Sequence, residues 1–146
     1  MNVRVLALVV LVVLTACAVA PGENLAVLDV FKRPMEGTVV TLDSERIVSN
    51  MFLKKDQDPE FDYRDKFKTV NIYRFSSDLG HSLALRLDSY IKKGQLQDFY
   101  EIALRDIVKK GEIAVHGFSI AGKKWMEIDT PEDLEIARSL FERRKV

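Results

Sequence analysis

The chain is poor in the residues from which many sites are built: one cysteine, two histidines and four prolines in 146 residues. A lone Cys17 excludes an internal disulfide framework and any multi-cysteine metal cage. His81 and His116 lie far apart with no cysteine to join them, so both read as structural or solvated. Ser76 and Ser77 have no paired histidine, which leaves a hydrolytic triad unsupported. Formal net charge is zero, from 22 basic and 22 acidic residues, so no global field favours nucleic acid or an anionic membrane. The tyrosines are dispersed and form no stacking platform for single strands. No glycine precedes Gly22 and no Gly-x-Gly pattern occurs anywhere, so a glycine-rich phosphate loop is missing. What remains is a globular balance of 47% apolar and 30% charged residues, enough for one domain.

Residues 1–21 stand apart as an apolar leader. Arg4 precedes an unbroken Val, Leu and Ala run from Val5 to Leu14, and Leu14-Thr15-Ala16-Cys17 resembles a bacterial lipoprotein signal whose Cys17 would be lipidated. The run is shorter than the roughly 20 residues of a spanning helix. A buried strand or a non-native start is the alternative reading.

Pro21-Gly22-Glu23-Asn24 marks the boundary of a domain over 22–146. Beyond it, Leu25 to Val30 reads as a buried strand. Thr38–Leu42 and Arg46–Leu53 read as a hairpin around Asp43-Ser44-Glu45, and Thr69–Phe75 as a further strand. The charged stretch from Lys54 to Lys66 reads as an exposed loop. Apolar residues at helical spacing predict helices over Ser77–Lys93 and Phe99–Lys110, stopped by Gly94 and Gly111. Strands are expected at Ile113–Ser119 and Lys124–Ile128. Thr130 as N-cap with Pro131 at the first helical position then opens a last helix. Alternating strands and helices imply an α/β layer structure.

In a strand ending at Asp129, period two puts Trp125, Glu127 and Asp129 on one face. Carboxylates at the end of a strand, before a helix, can hold Mg²⁺. On spacing alone, Asp129 and Asp133 serve equally well as helix caps, with Glu127 solvated.

Four segments together carry a resemblance. Trp125-x-Glu127-Ile128-Asp129-x-x-x-Asp133-Leu134, Lys68-Thr69-Val70-Asn71-Ile72-Tyr73, Phe99-Tyr100-Glu101 and Gly37-Thr38-Val39-Val40 resemble, in order and spacing, motifs of the nucleotidyltransferases that activate phosphocholine, phosphonates and sugar phosphates. The resemblance covers about residues 22 to 143 and implies a partial Rossmann-like, glycosyltransferase-A-like mixed sheet with flanking helices. It implies transfer of a nucleotidyl group from an NTP, with CTP favoured, to a phosphorylated small molecule, with pyrophosphate leaving. Asp129 then matches a Mg²⁺ ligand, with Glu127 in reserve. Lys54 or Lys55 matches a lysine on the acceptor phosphate, and Gly37 a glycine that lets backbone approach the acceptor. Asn71 and Glu101 match polar positions facing the acceptor, while Lys68 can face pocket or solvent. Without the resemblance these residues read as solvated lysines, a turn glycine, an asparagine satisfied in the sheet and a first-turn acid.

The departures set further expectations. With the nucleotide-gripping loop and the family's first metal-binding acid missing, the chain reads as the C-terminal part of such an enzyme, inactive alone. A missing half or a second copy is the implied partner, and the family implies a cytoplasmic location. A half-fold predicts an unpaired sheet edge at Leu25–Val30. The alternative is a lipid-anchored, non-catalytic envelope module.

Overall fold

The computed structural model describes residues 22–95 and 100–141; the leader with Cys17, and Phe99, lie outside them. The chain divides into two compact units, Val19–Ala121 and a part from Gly122 on.

The larger unit carries five strands: β1 (Leu25–Val30), β2 (Val39–Leu42), β3 (Val48–Phe52), β4 (Phe67–Arg74) and β5 (His116–Ser119). Between β4 and β5 run two helices, α1 (Ser77–Lys92) and α2 (Glu101–Lys110). The sheet order is β3-β2-β4-β1-β5. β1 pairs antiparallel with β4 and parallel with β5, so the sheet is mixed. This α/β architecture agrees with the sequence reading.

The expected sheet edge is not there. Leu25–Val30 is not an edge: it lies between β4 and β5, and its first five residues are buried. The run Leu-Ala-Val-Leu is apolar on both faces, which suits a strand covered on both sides. Even the outer strands meet. Val48 N donates to Val115 O at 2.8 Å and Gly117 N to Arg46 O at 2.8 Å, so the start of β5 leans on the start of β3. Gly117 allows this close approach, since a Cβ there would sit 2.7 Å from Leu42 Cδ2.

Local chemistry explains the elements. Asp43 Oδ1 accepts from Glu45 N and Ile47 N, closing the β2–β3 hairpin, with Arg46 at φ 65°. Ser76 Oγ caps α1 by accepting from Leu79 N, and Gly111 at φ 63° ends α2. Leu79, Leu104 and Ile107 share one buried core with Leu28, Val40 and Val115. Each such side chain contributes about 1.5–3 kcal/mol by leaving water. α1 is clasped to α2 by Tyr90 donating to Asp106, and Arg86 meets Glu112 just beyond α2.

The smaller unit holds α3 (Pro131–Phe141). Lys124–Ile128 is not a strand but irregular chain leading into it. Its apolar–polar alternation is only a local pattern, and a strand also needs a neighbouring ladder to take up its backbone groups. Among the described residues, no helix is long and apolar enough to cross a membrane.

Candidate functional site

The polar residues of the larger unit gather at one end of the sheet, around the Gly37–Thr38 peptide. Gly37 has φ 103°, which favours glycine. The absent side chain has a specific neighbour: a Cβ would lie 3.1 Å from Lys68 Nζ and 3.2 Å from Lys68 Cε. Lys68 is only 1% exposed, so it faces neither solvent nor an open pocket. Its ammonium donates to Thr69 O at 2.6 Å. Its ladder partner on β1 is Asp29, 6% exposed, and directly opposed residues of an antiparallel pair share a face.

Thr38 links this corner to α2. Thr69 donates to Thr38 O from both N (3.1 Å) and Oγ1 (3.2 Å). Thr38 Oγ1 donates to Glu101 Oε2 at 3.0 Å, and Tyr73 Oη to Glu101 Oε1 at 3.3 Å. Glu101, 9% exposed, is therefore a buried carboxylate held by two hydroxyls. A carboxylate offers about four acceptor positions, so it has capacity left. Burial and then the Glu101 charge push the Tyr73 phenol well above its usual pKa. The same two causes raise Tyr100 to about 12. The Tyr73 and Tyr100 rings meet edge to face at 6.2 Å.

Asn71 sits on an irregularity of β4. Ala26 and Leu28 on β1 oppose Tyr73 and Thr69, so β4 carries extra residues between them. Asn71 takes φ 59° and is exposed. Asparagine tolerates this left-handed conformation better than most residues, and bulges re-aim side chains beside functional sites. Asn71 Oδ1 lies 3.4 Å from Thr69 Oγ1.

Lys54 and Lys55 open a 3-10 turn over Lys54–Asp56, exposed as expected. Lys54 Nζ reaches Glu36 Oε1 at 3.1 Å, next to Gly37. Among the residues singled out from the sequence, Glu101 thus joins Thr38 and Asn71 joins Thr69 through the threonine hydroxyls, Lys68 lies against Gly37 and Thr69 O, and Lys54 reaches Glu36 beside Gly37. Thr38, Thr69, Tyr73 and Asp29 were not singled out. The first three lie inside the quoted motifs, which was the available signal; the Asp29–Lys68 pairing depends on strand register.

Glu127 and Asp129 belong to the smaller unit. Asp129 is exposed and follows irregular chain rather than a strand. Its backbone N and that of Thr130 donate to Asp133 Oδ2 at 3.1 and 2.9 Å, while Asp133 N donates to Thr130 Oγ1 at 3.1 Å. Asp133 and Thr130 therefore form a reciprocal cap of α3. Hydrogen bonding from Thr130 holds the Asp133 carboxyl below its usual pKa. Among the described residues, no group of three or more His, Cys, Asp or Glu gathers into a metal cage.

This fold and these motifs have relatives. No family model matches the chain. It is 27% identical over 122 residues, or 83% of its length, to the CMP-5'-(3-aminopropyl)phosphonate synthase of Streptomyces rubellomurinus, and spans 19% of that protein. Its fold is similar to an inositol-1-phosphate CTP transferase from T. maritima (TM-score 0.52, 17% identity, covering 84% of this chain and 46% of that one). It is also similar to CMP:2-keto-3-deoxy-manno-octonic acid synthetase complexed with CTP (TM-score 0.50, 15% identity, covering 82% of this chain and 49% of that one). The chain spans about one fifth of the curated relative and about half of each solved structure. The fold is thus the Rossmann-like α/β layering that these solved cytidylyltransferase structures share.

Proposed function

We propose that this chain supplies the acceptor end of a nucleotidyltransferase that moves a cytidylyl group from CTP onto a phosphorylated or phosphonylated small molecule, releasing pyrophosphate. The observation that carries this reading is the surroundings of the Gly37–Thr38 peptide: the Lys68 ammonium close against Gly37, the buried Glu101 carboxylate bonded to Thr38, and Lys54 paired with the neighbouring Glu36.

In that reaction an acceptor oxygen attacks the α-phosphate, the α–β bridge breaks and pyrophosphate leaves. The protein contributes mainly position and charge. Lys54 and Lys55 would neutralise the acceptor's phosphate or phosphonate, a task suited to compact ammonium groups. Asn71, exposed on its bulge, would hydrogen-bond the acceptor. Glu101, with acceptor capacity beyond its two hydroxyls, would favour an acceptor carrying an ammonium group, as the named relative's aminopropylphosphonate does. Asp129, with Glu127 in reserve, would offer Mg²⁺ a carboxylate oxygen, the ligand type this hard cation prefers. When bound, the ion neutralises phosphate charge. In this reading the chain does not turn over by itself, since its sequence offers no Gly-x-Gly phosphate loop. A cytoplasmic location follows the same reading.

The test compares 3-aminopropylphosphonate with propylphosphonate by calorimetry on the wild type and on Glu101→Gln. The reading expects the wild type to bind the amino compound about tenfold more tightly, a difference of ~1.4 kcal/mol, and the variant to lose that preference. Equal affinities in the wild type would remove Glu101 from acceptor recognition. No binding of either compound would remove the acceptor site itself.

A further inference from the structure

Gln57 is the residue at which three segments of this site are tied together. Its Nε2 donates to Gly37 O at 2.8 Å and to Phe52 O at 2.9 Å, using both amide hydrogens. Its Oε1 accepts from the Tyr63 hydroxyl at 3.1 Å. One side chain thereby joins the β1–β2 loop, the end of β3 and the long loop before β4. The residue before it is anchored as well: Asp56 Oδ2 accepts from Leu53 N at 3.1 Å and from Arg105 Nη1, on α2, at 3.0 Å. The turn bearing Lys54 and Lys55 is therefore held from both sides, although the two lysines are themselves exposed and cannot fix it by packing.

We propose that Gln57 is a positioning residue, which keeps the Gly37 backbone and the Lys54–Lys55 turn in one fixed register for a phosphonate or phosphate to be met by both. This rests on the acceptor-site reading above. The chemistry demands an amide: two carbonyls need two donors while the Tyr63 hydroxyl needs an acceptor, and a carboxylate of the same shape has no donor to give. Leaving two part-buried carbonyls against an anion separates the segments rather than joining them. Misplacement of the lysines by an ångström then weakens their hold on the anion.

The test uses the full chain and 3-aminopropylphosphonate as the probe, titrated by phosphorus NMR. Gln57→Glu is expected to weaken binding about tenfold. Lys54→Ala/Lys55→Ala should weaken it similarly, and combining them with Gln57→Glu should add little, because Gln57 acts through those lysines. Tyr63→Phe keeps the ring stacked on Phe31 and loses only the hydroxyl; it should fold and weaken binding several-fold. Arg86→Ala, which removes the contact with Glu112, should cost stability and leave affinity unchanged. Wild-type affinity in Gln57→Glu and Tyr63→Phe, with the lysine variants impaired, overturns the role of Gln57 and leaves the acceptor site standing. Fully additive losses also overturn it. Unchanged affinity in the lysine variants overturns the acceptor site and this role together.

Discussion

Gly37 and Lys68 occupy adjoining space so closely that a methyl group on the first would press on the ammonium of the second, 3.1 Å away. The resemblance assigned that glycine to the acceptor; the structure gives it a lysine to accommodate. Two effects then oppose Gly37→Ala: a φ of 103°, unfavourable for any side chain, and the contact with Lys68. Together they should cost about 1–3 kcal/mol. In a Lys68→Ala background only the first remains, so urea titration of the double-mutant cycle should show coupling of about 1 kcal/mol. Additive losses would mean that the contact carries no weight.

Alkaline pH should loosen the Glu101 corner. Tyr73 and Tyr100 both have raised folded-state values, so the folded chain resists ionising them while the unfolded chain does not. For a raised pKa the stabilisation is complete below the unfolded value of 10 and lost as pH rises through the folded value, about 12 for Tyr100. Thermal melts should fall across that window, and Tyr73→Phe should flatten the fall. A melting temperature independent of pH there would contradict the buried tyrosine–carboxylate arrangement.

The cap of α3 makes a prediction of opposite sign. Asp133 has a lowered value, so its contribution is present above the ordinary 3.8 and lost as pH falls through the lowered one. Thr130→Ala removes the partner of the Asp133 amide and should cost the helix about 1 kcal/mol. Amide hydrogen exchange over α3 should accelerate by the corresponding factor while β1 and β4 stay protected. Unchanged exchange in α3 would show that the cap is idle.

The sequence was legible where its signals are local. Gly94 beyond α1, Gly111 after α2 and Thr130-Pro131 before α3 each act within one turn, and those helix ends fall beside them. Leu25–Val30 was readable as a strand because its apolar run is continuous, but its position inside the sheet was not. Placement of β5 beside it depends on Gly117 fitting between Leu28 and Leu42, a contact between segments far apart in sequence. The same limit explains Lys68, whose burial depends on the Asp29 register and on Gly37 from another loop. The extra β4 residues around Asn71 leave no mark in a sequence that reads simply as a strand over Thr69–Phe75. Lys124–Ile128 shows the converse, a strand-like alternation in a segment that is irregular chain. Gln57 could not be recognised in a charged loop, because its role is defined by carbonyls at Gly37 and Phe52.

The central claim is that the Gly37–Thr38 end of the larger unit receives the acceptor. Its most direct test is a titration of the isotope-labelled full chain with 3-aminopropylphosphonate, followed through the backbone amide signals. The account predicts saturable shifts clustered at Gly37, Thr38, Lys54, Lys55, Asn71 and Glu101, with Leu85 and Ile91 on α1 unmoved. Shifts that never saturate, or that cluster on α1 and leave Gly37 and Glu101 unmoved, would contradict it.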